Sequence, residues 1–573
     1  MADSDQVLAT FLGDESFPIE WESETEKRLF WFLNTHGITR PISPMCWSLC
    51  GWWKPALDYI YQHSGYPYSE AWIGKRINGY LYSAIIPRDT ESAKIISPYY
   101  DWIMPAYIKK MPHWWQNRFL PEIKKNFEYI DQYDAQNANL HDLMFFLEEV
   151  ITIQERHFCI RWIVHLALSQ SSIDLQEVID DVIGEVSPSL MGRIFVSLKN
   201  RNWDSLEILW KLKEKVVIHP ELKTIFDSGE HAIAILPALE SSESGKKFLK
   251  EVDKYLNEFG IKTTKSAYDY IKMLWMEDAS PAIETIMGYL KSNYDYPSHL
   301  KRIIDDQNAA LQELHSLVSD DVSAEQKEEL VIKLDLMIRI TSIMPDIEIY
   351  IDQGTFGRMR LVLLALAEKM VAEGFIDDAE DIMFLEYDQL RAYIADPKCY
   401  KNSEGDDGRS VVEENKLAYH AASYINPRDW VGTVTQWNMY LEPFHKNWGY
   451  PYRFELTQTD VDKPKDEVHG SPASSGLIEG FARVMQEPEE FDNIEKGEIL
   501  ICLMTDPTWV FIFSEICGVV TDTGGVLGHT AVVAREFGIP AVVGTRDATS
   551  RIKTGDRIRV NGNIGVVEIL GKL

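Results

Sequence analysis

The residues best placed to do chemistry in this 573-residue chain lie in one run, TDTGGVLGHTAVVAREFGIPAVVG, from Thr521 to Gly544. A strand-like stretch, CGVVTD, ends in a glycine turn at Gly524 and Gly525, and His529 follows near the start of the helical stretch TAVVAREFG. An imidazole at a helix N-terminus stands beside exposed backbone N–H groups, an environment that favours an anion such as a phosphoryl group. Neutral imidazole is a competent nucleophile near neutral pH. Glycines let the backbone come close to a tetrahedral oxyanion. Taken alone, a histidine beside two glycines is more often structural than catalytic.

Other residues invite weaker readings. His36 and Arg40 lie in NTHGITRPISP, a loop-like stretch, where His36 is either a base or phosphate contact at an acceptor site or a loop residue with a local hydrogen bond. His157 and His165, eight apart on one predicted helix, read as core or interface histidines, since a metal would need further ligands. Glu380 and Asp381 read as helix-start acids. The tryptophan-rich spots at Trp52 and Trp114 suit an aromatic pocket or simply a core, and none is assigned. Cys46 and Cys50 form a C-x3-C pair without nearby Cys or His partners, so no metal site is assigned.

Elements must position these groups. From about residue 20 to 425 the chain reads as helix after helix, with apolar residues at three- and four-residue spacing from Leu140 to Leu168, in SLKNRNWDSLEILWKLKEKVV and in GRMRLVLLALAEKMVAEG. Ser242 and Asp377 are predicted N-caps; Gly260 and Gly374 mark helix ends. No fixed-period repeat supports a solenoid. INPRDW breaks the pattern near Tyr424, and Thr457 to Gly476 has the polar, Pro- and Ser-containing composition of a flexible linker. Beyond it the period becomes strand-like in GFARVM, GEILICLM, CGVVTD, PAVVG and IGVVEIL. The predicted architecture is multidomain α + α/β: an all-helical region over 1–425, a connecting segment and linker over 426–469, and a small β/β/α domain over 470–573.

Composition narrows the classes further. The 89 acidic and 57 basic residues give a formal net charge of −32, which opposes nucleic acid and anionic lipid as partners. No apolar run reaches the roughly 20 residues of a membrane helix, and the N-terminus lacks a signal-peptide pattern. Scattered cysteines suit a reducing compartment, so a cytoplasmic location is expected.

The Thr521–Gly544 run resembles the phosphohistidine swivelling domain of the phosphoenolpyruvate-utilising family, whose members include phosphoenolpyruvate synthase, pyruvate phosphate dikinase and enzyme I. The motif T-x-x-G-G-x-x-[SC]-H-[AT]-x-x-x-A-R-x-x-x-[IL]-P-A-[VI]-V-G is met by Thr521, Gly524, Gly525, His529, Thr530, Ala534, Arg535, Pro540, Ala541 and Gly544. GSPASSGLIEGFARVM, KGEILICLMTDPTW (with a T-x-P turn at Thr505 and Pro507) and KTGDRIRVNGNIGVVEIL resemble the surrounding strands and closing hairpin. Gly528 departs from the family's Ser or Cys. The resemblance implies that His529 carries the phosphoryl group and that Thr521, Gly524 and Gly525 shape its pocket. Arg535 either neutralises phosphate charge or pairs with a carboxylate on the helix surface.

Arg358 to Leu390 resembles a helical segment of rifampicin phosphotransferases and phenylphosphate synthases, and Phe17 to Met45 resembles the start of the histidine-bearing phenylphosphate synthase subunit. Neither the βαβ alternation of an ATP-grasp unit nor a P-loop is apparent. The resemblance therefore implies a split enzyme. A separate ATP-grasp subunit would bind ATP and Mg²⁺, His529 would be charged, and a phenolic substrate would be phosphorylated, with ATP ending as AMP and phosphate. Another alcohol, such as an antibiotic hydroxyl, and a phosphocarrier passing phosphate to a protein are the alternatives.

Overall fold

The computed structural model describes residues 5–34, 38, 40–49, 53–198, 200–229, 231–263, 268–292, 294–396, 408–447, 449–459, 466–485, 494–505, 509, 512–513, 515–525 and 529–572. The chain divides into two compact units: Met1–Gln170 with Ser266–Met273 and Ile347–Phe454, and Ser171–Lys265 with Leu274–Asp346 and Glu455–Leu573. Both are discontinuous in sequence.

The first unit holds a sheet inside the region read as all-helical. Strands β1 (Val7–Phe11), β2 (Phe30–Leu33), β3 (Ser69–Ile77), β4 (Tyr80–Pro87) and β5 (Trp430–Thr435) pair in the order β1-β5-β2-β4-β3. Every neighbouring pair is antiparallel. The β3–β4 hairpin turns at Asn78 and Gly79, with φ of 50° and 85°, as a two-residue turn between right-twisted strands requires. The first six residues of β4 are all buried. A strand covered on both faces loses its alternation and cannot be told from a helix by periodicity. Phe17, Trp31, Ile77, Tyr80, Tyr82, Ala84 and Val431 form the core there.

Residues 426–454 of the segment read as a connector fold into this unit. β5 lies between β1 and β2, with Trp31 opposite Val431 and Phe11 opposite Gly432. Gly432 has a φ of +87°, and a Cβ there would meet the Leu29 carbonyl oxygen at 2.1 Å, so only glycine fits. Helices Pro443–Asn447 and Tyr450–Thr459 follow. The predicted linker also overlaps strands β6 (Glu467–His469) and β7 (Ser471–Ser474).

The helices of the first unit enclose polar pairs. On the 43-residue helix Leu140–Val182, Arg161 Nε donates to Asp352 Oδ1 at 2.8 Å, both residues buried. His157 is a core histidine, 2.8 Å from Thr355 Oγ1 and 3.0 Å from Asn126 Nδ2, and burial pushes its pKa down to about 3. His165 packs on Trp162. The predicted Asp377 cap lies one residue off: Asp378 and Asp381 form the capping box of Ala379–Phe384. Glu380 accepts from the buried Arg360 at 3.0 Å.

The second unit combines a helical lobe, drawn from residues 171–265 and 274–346 and called the 171–346 lobe below, with a C-terminal domain. Helices Arg201–Ile218, Glu243–Phe259 and Ser280–Ser292 enclose a core that includes Trp203, Leu209, Phe248, Tyr255, Trp275 and Ile286. Ser242 caps Glu243–Phe259 as predicted, accepting from Gly245 N at 2.9 Å.

In the C-terminal domain, β6, β7, β8 (Leu477–Met485), β9 (Ile499–Cys502), β10 (Gly518–Thr521), β11 (Ala541–Val543), β12 (Arg557–Asn561) and β13 (Val566–Gly571) pair in the order β6-β13-β12-β8-β9-β10-β11-β7. The pairs β8–β9, β9–β10 and β10–β11 are parallel. Successive side chains alternate between two cores: Leu500, Val519, Ala541 and Val543 face one, and Ile499, Ile501, Val520 and Val542 the other. Burial on both faces is the usual condition of parallel strands. It fixes the β10 end that leads into the histidine.

Candidate functional site

The site grows from the C-terminal end of β10. Thr521 is fully buried, and its Oγ1 donates to the Thr523 carbonyl at 2.7 Å. Its own carbonyl accepts from Thr545 N at 2.9 Å and Thr545 Oγ1 at 3.0 Å. The chain therefore leaves the sheet along one path. Asp522, 4% exposed, anchors the next turn. It accepts from Thr545 Oγ1 at 3.1 Å, from Thr549 N at 3.1 Å and from the Thr549 hydroxyl. Burial pushes its carboxyl above the ordinary value, against the pull of these donors.

Gly524 has a φ of +105°, and Gly544, at +69°, lies so close that a Cβ on it would stand 2.9 Å from the Gly524 oxygen. Gly525 is different: nothing lies within 4 Å of where its Cβ would be. The helix His529–Phe537 begins just beyond, with His529 as its first residue. The first-turn N–H groups of a helix have no intrahelical acceptor, which suits an anion there. Residues 526–528, Gly528 among them, and the His529 side chain lie outside the described residues. Thr530, the second residue of the helix, bonds to Thr505 hydroxyl to hydroxyl at 2.8 Å, and Thr505 N donates to Thr530 Oγ1 at 3.3 Å. Pro507 of the predicted turn also lies outside the described residues. Ala531 and Ala534 are fully buried and hold the helix to the domain core.

Thr521 and Gly524 thus adjoin at the end of β10, with Gly525 next in the chain, and His529 opens the helix that follows four residues later. Arg535 lies elsewhere, six residues along the helix, about 9 Å from its start at 1.5 Å per residue. Its guanidinium packs on Gly192 of the helix Pro188–Ile194, where a Cβ would be 2.6 Å from Arg535 Cζ. Arg40 belongs to the first unit, within electrostatic reach of the Tyr80 and Tyr419 phenols. His36 lies outside the described residues. Sequence reasoning missed Asp522, Thr545 and Thr549 as the buckle of the site. A carboxylate following a buried strand and a Thr-rich return were the available signal. Among the described residues no group of three or more His, Cys, Asp and Glu could hold a metal ion, so no residue is assigned to Mg²⁺. Among the same residues no helix is long and apolar enough to cross a membrane.

Two family models match. Residues 494–565 match the PEP-utilising enzyme mobile domain, which covers the site from β9 to the start of β13. Residues 172–339 match the rifampicin phosphotransferase fourth domain, nearly the span of the helical lobe. The chain thus carries a segment that matches the mobile domain of PEP-utilising enzymes and another that matches a domain of rifampicin phosphotransferase. It is 25% identical over 565 residues to the uncharacterised phosphotransferase YvkC of Bacillus subtilis, covering 96% of this chain and 63% of that one. It is 28% identical over 347 residues to the rifampicin phosphotransferase of Bacillus cereus, covering 59% of this chain and 36% of the relative. The similarity to a probable phosphoenolpyruvate synthase of Staphylothermus marinus is 46% over 109 residues, 19% of this chain and 13% of the other. The chain spans less than two thirds of each of these relatives.

Proposed function

We propose that the chain is the phosphohistidine-bearing part of an ATP-dependent phosphotransferase that phosphorylates a hydroxyl group of a small organic acceptor, with a phenolic hydroxyl as the preferred class. The observation that carries this reading is the start of a helix at His529, directly beyond the Gly524–Gly525 turn at the end of a buried parallel strand. In this reading a histidine nitrogen attacks the β-phosphorus of ATP, the bond to the α-phosphate oxygen breaks, and AMP leaves. Water then removes the terminal phosphate, and phosphohistidine remains. The acceptor hydroxyl attacks that phosphorus, the P–N bond breaks, and the hydroxyl proton passes to a base. A phenol ionises only near pH 10, so a base or a cation near the acceptor should assist.

ATP and Mg²⁺ are proposed to be held mainly by a separate ATP-grasp polypeptide, with the reaction taking place in the cytoplasm. Support for a mobile carrier comes from the matched mobile domain, and support for a hydroxyl acceptor from the relatives named rifampicin phosphotransferase. The second reading, an antibiotic hydroxyl, is favoured by the lobe's match to the rifampicin phosphotransferase fourth domain.

The test combines the chain with an ATP-grasp partner, Mg²⁺ and β-³²P-labelled ATP. Acid-labile label is expected on His529, and it should move to one of a panel of phenols or rifamycins with release of AMP. His529→Ala should take up no label while keeping its fold. Label in that variant, or transfer only to another protein, would overturn the reading.

A further inference from the structure

We infer that the helical lobe 171–346 carries a docking station for the mobile domain, made by Tyr294, His299 and Gly192, which grips the His529 helix at the end away from the histidine. The inference rests on the carrier reading above. Phe537 closes the helix and packs against both the lobe core and the mobile domain's own core. Its ring stacks on Tyr294 at 6.3 Å and 22° and tilts against His299 at 5.4 Å, while Phe513 of its own domain lies 5.9 Å away.

The receptacle is built within the lobe. Tyr294 stacks on Tyr289 at 4.5 Å, and its backbone N–H donates to the Tyr289 carbonyl. His299 leans on Trp203 at 6.2 Å and lies 3.0 Å from Arg302 Nη2. Beside it, the Arg535 guanidinium fits where a side chain at position 192 would stand; the three atoms nearest a Cβ there all belong to Arg535. Strand β7 also touches the helix Pro188–Ile194.

Two features make this a station and not a fused core. The lobe and the domain keep separate clusters, and the Phe537 ring packs against both. The grip also lies eight residues from His529, about 12 Å along the helix at 1.5 Å per residue. Docking by this end can hold the domain's orientation without using the residues that do the chemistry. Phe537, Arg535 and Gly192 are therefore positioning residues.

Hydrogen exchange on the full-length chain tests the station, each variant being read in the other partner. In Gly192→Leu, peptides covering 529–540 should exchange at least fivefold faster than in the wild type. In Phe537→Ala, lobe peptides covering 289–303 should do the same. Unchanged exchange of 529–540 in Gly192→Leu would overturn the proposal. If Phe537→Ala unfolds its own domain, seen as fast exchange throughout 466–572, the Gly192→Leu result decides alone. Failure of label to reach His529 would reject the carrier reading and leave this measurement standing.

Discussion

Thr505 and Thr530, 25 residues apart in sequence, share a hydroxyl-to-hydroxyl bond of 2.8 Å at the first turn of the His529 helix. The bond joins the loop after β9 to the helix and sets where the first-turn N–H groups stand. Thr530→Val keeps the shape but strands the buried Thr505 N–H, which also uses this oxygen. A loss of about 1–3 kcal/mol is expected, read from denaturant unfolding. On the proposed carrier reading, uptake of label by His529 should slow by roughly tenfold or more as the helix start shifts. Unaltered rates of label uptake would show that this bond does not position the site.

The paired glycines should behave differently. Gly524→Ala forces a side chain into a φ of +105° and should cost about 1–3 kcal/mol. Gly525 has open space around its missing side chain, so Gly525→Ala should leave the melting temperature unchanged. If Gly525 serves to let the backbone approach a phosphoryl group, the same variant should nevertheless take up label more slowly. Normal uptake with normal melting would limit Gly525 to a turn role.

Asp522→Ala removes the acceptor for both donors of Thr549 and one of the two acceptors of Thr545 Oγ1, which keeps the Thr521 carbonyl. Leaving the half-buried Thr549 donors unpaired should cost about 1–3 kcal/mol, measured by chemical denaturation. Asp522→Asn keeps one carbonyl oxygen and should cost less. Equal losses in the two variants would contradict the hydrogen-bonding account.

Glu442 gives a pH signature in the first unit. It is fully buried, accepting from His445 N at 2.8 Å and from the Tyr66 and Ser69 hydroxyls at 3.3 Å, and burial raises its pKa to about 7. A raised folded value means that the protonated form is favoured on folding. Its contribution is complete below the unfolded value of 4.5 and is lost as pH rises through 7. His445 works in the other direction: burial lowers it to about 3, so its contribution is present above 6.5 and lost toward acid. Glu442→Gln should raise stability at pH 8 by up to roughly 3 kcal/mol, taken at 1.36 kcal/mol per pKa unit. The gain should vanish near pH 4.5. Melting curves across this range check the sign.

The sequence was most legible where one physical signal dominated. The glycine turn and the strands around it were readable because glycine and short β-branched runs bounded by Gly, Pro or Asp leave strong local marks. The helix Glu243–Phe259 was readable through its cap at Ser242 and its apolar stripe. The five-stranded sheet was not read, although Asn78-Gly79 between two apolar runs is a strong hairpin signal. The uniform burial of β4 concealed its period, and β5 finds its partners only through contacts across some 400 residues of sequence. Arg535 could not be placed from the motif either, because its surroundings include Gly192, a residue no local pattern connects to it.

Strand β5 sits between β1 and β2, so the first unit cannot be finished until residues 430–435 have been made. At 5–20 residues per second a ribosome needs roughly 20 to 70 s to travel from β4 to β5. Throughout that interval β2 offers an open edge, a template for wrong pairing. Most of the lobe, whose helices contact near neighbours in sequence, is synthesised within the same window and can fold first. Truncations that stop short of Thr435 should therefore give aggregating chains, whatever the fate of the lobe they contain.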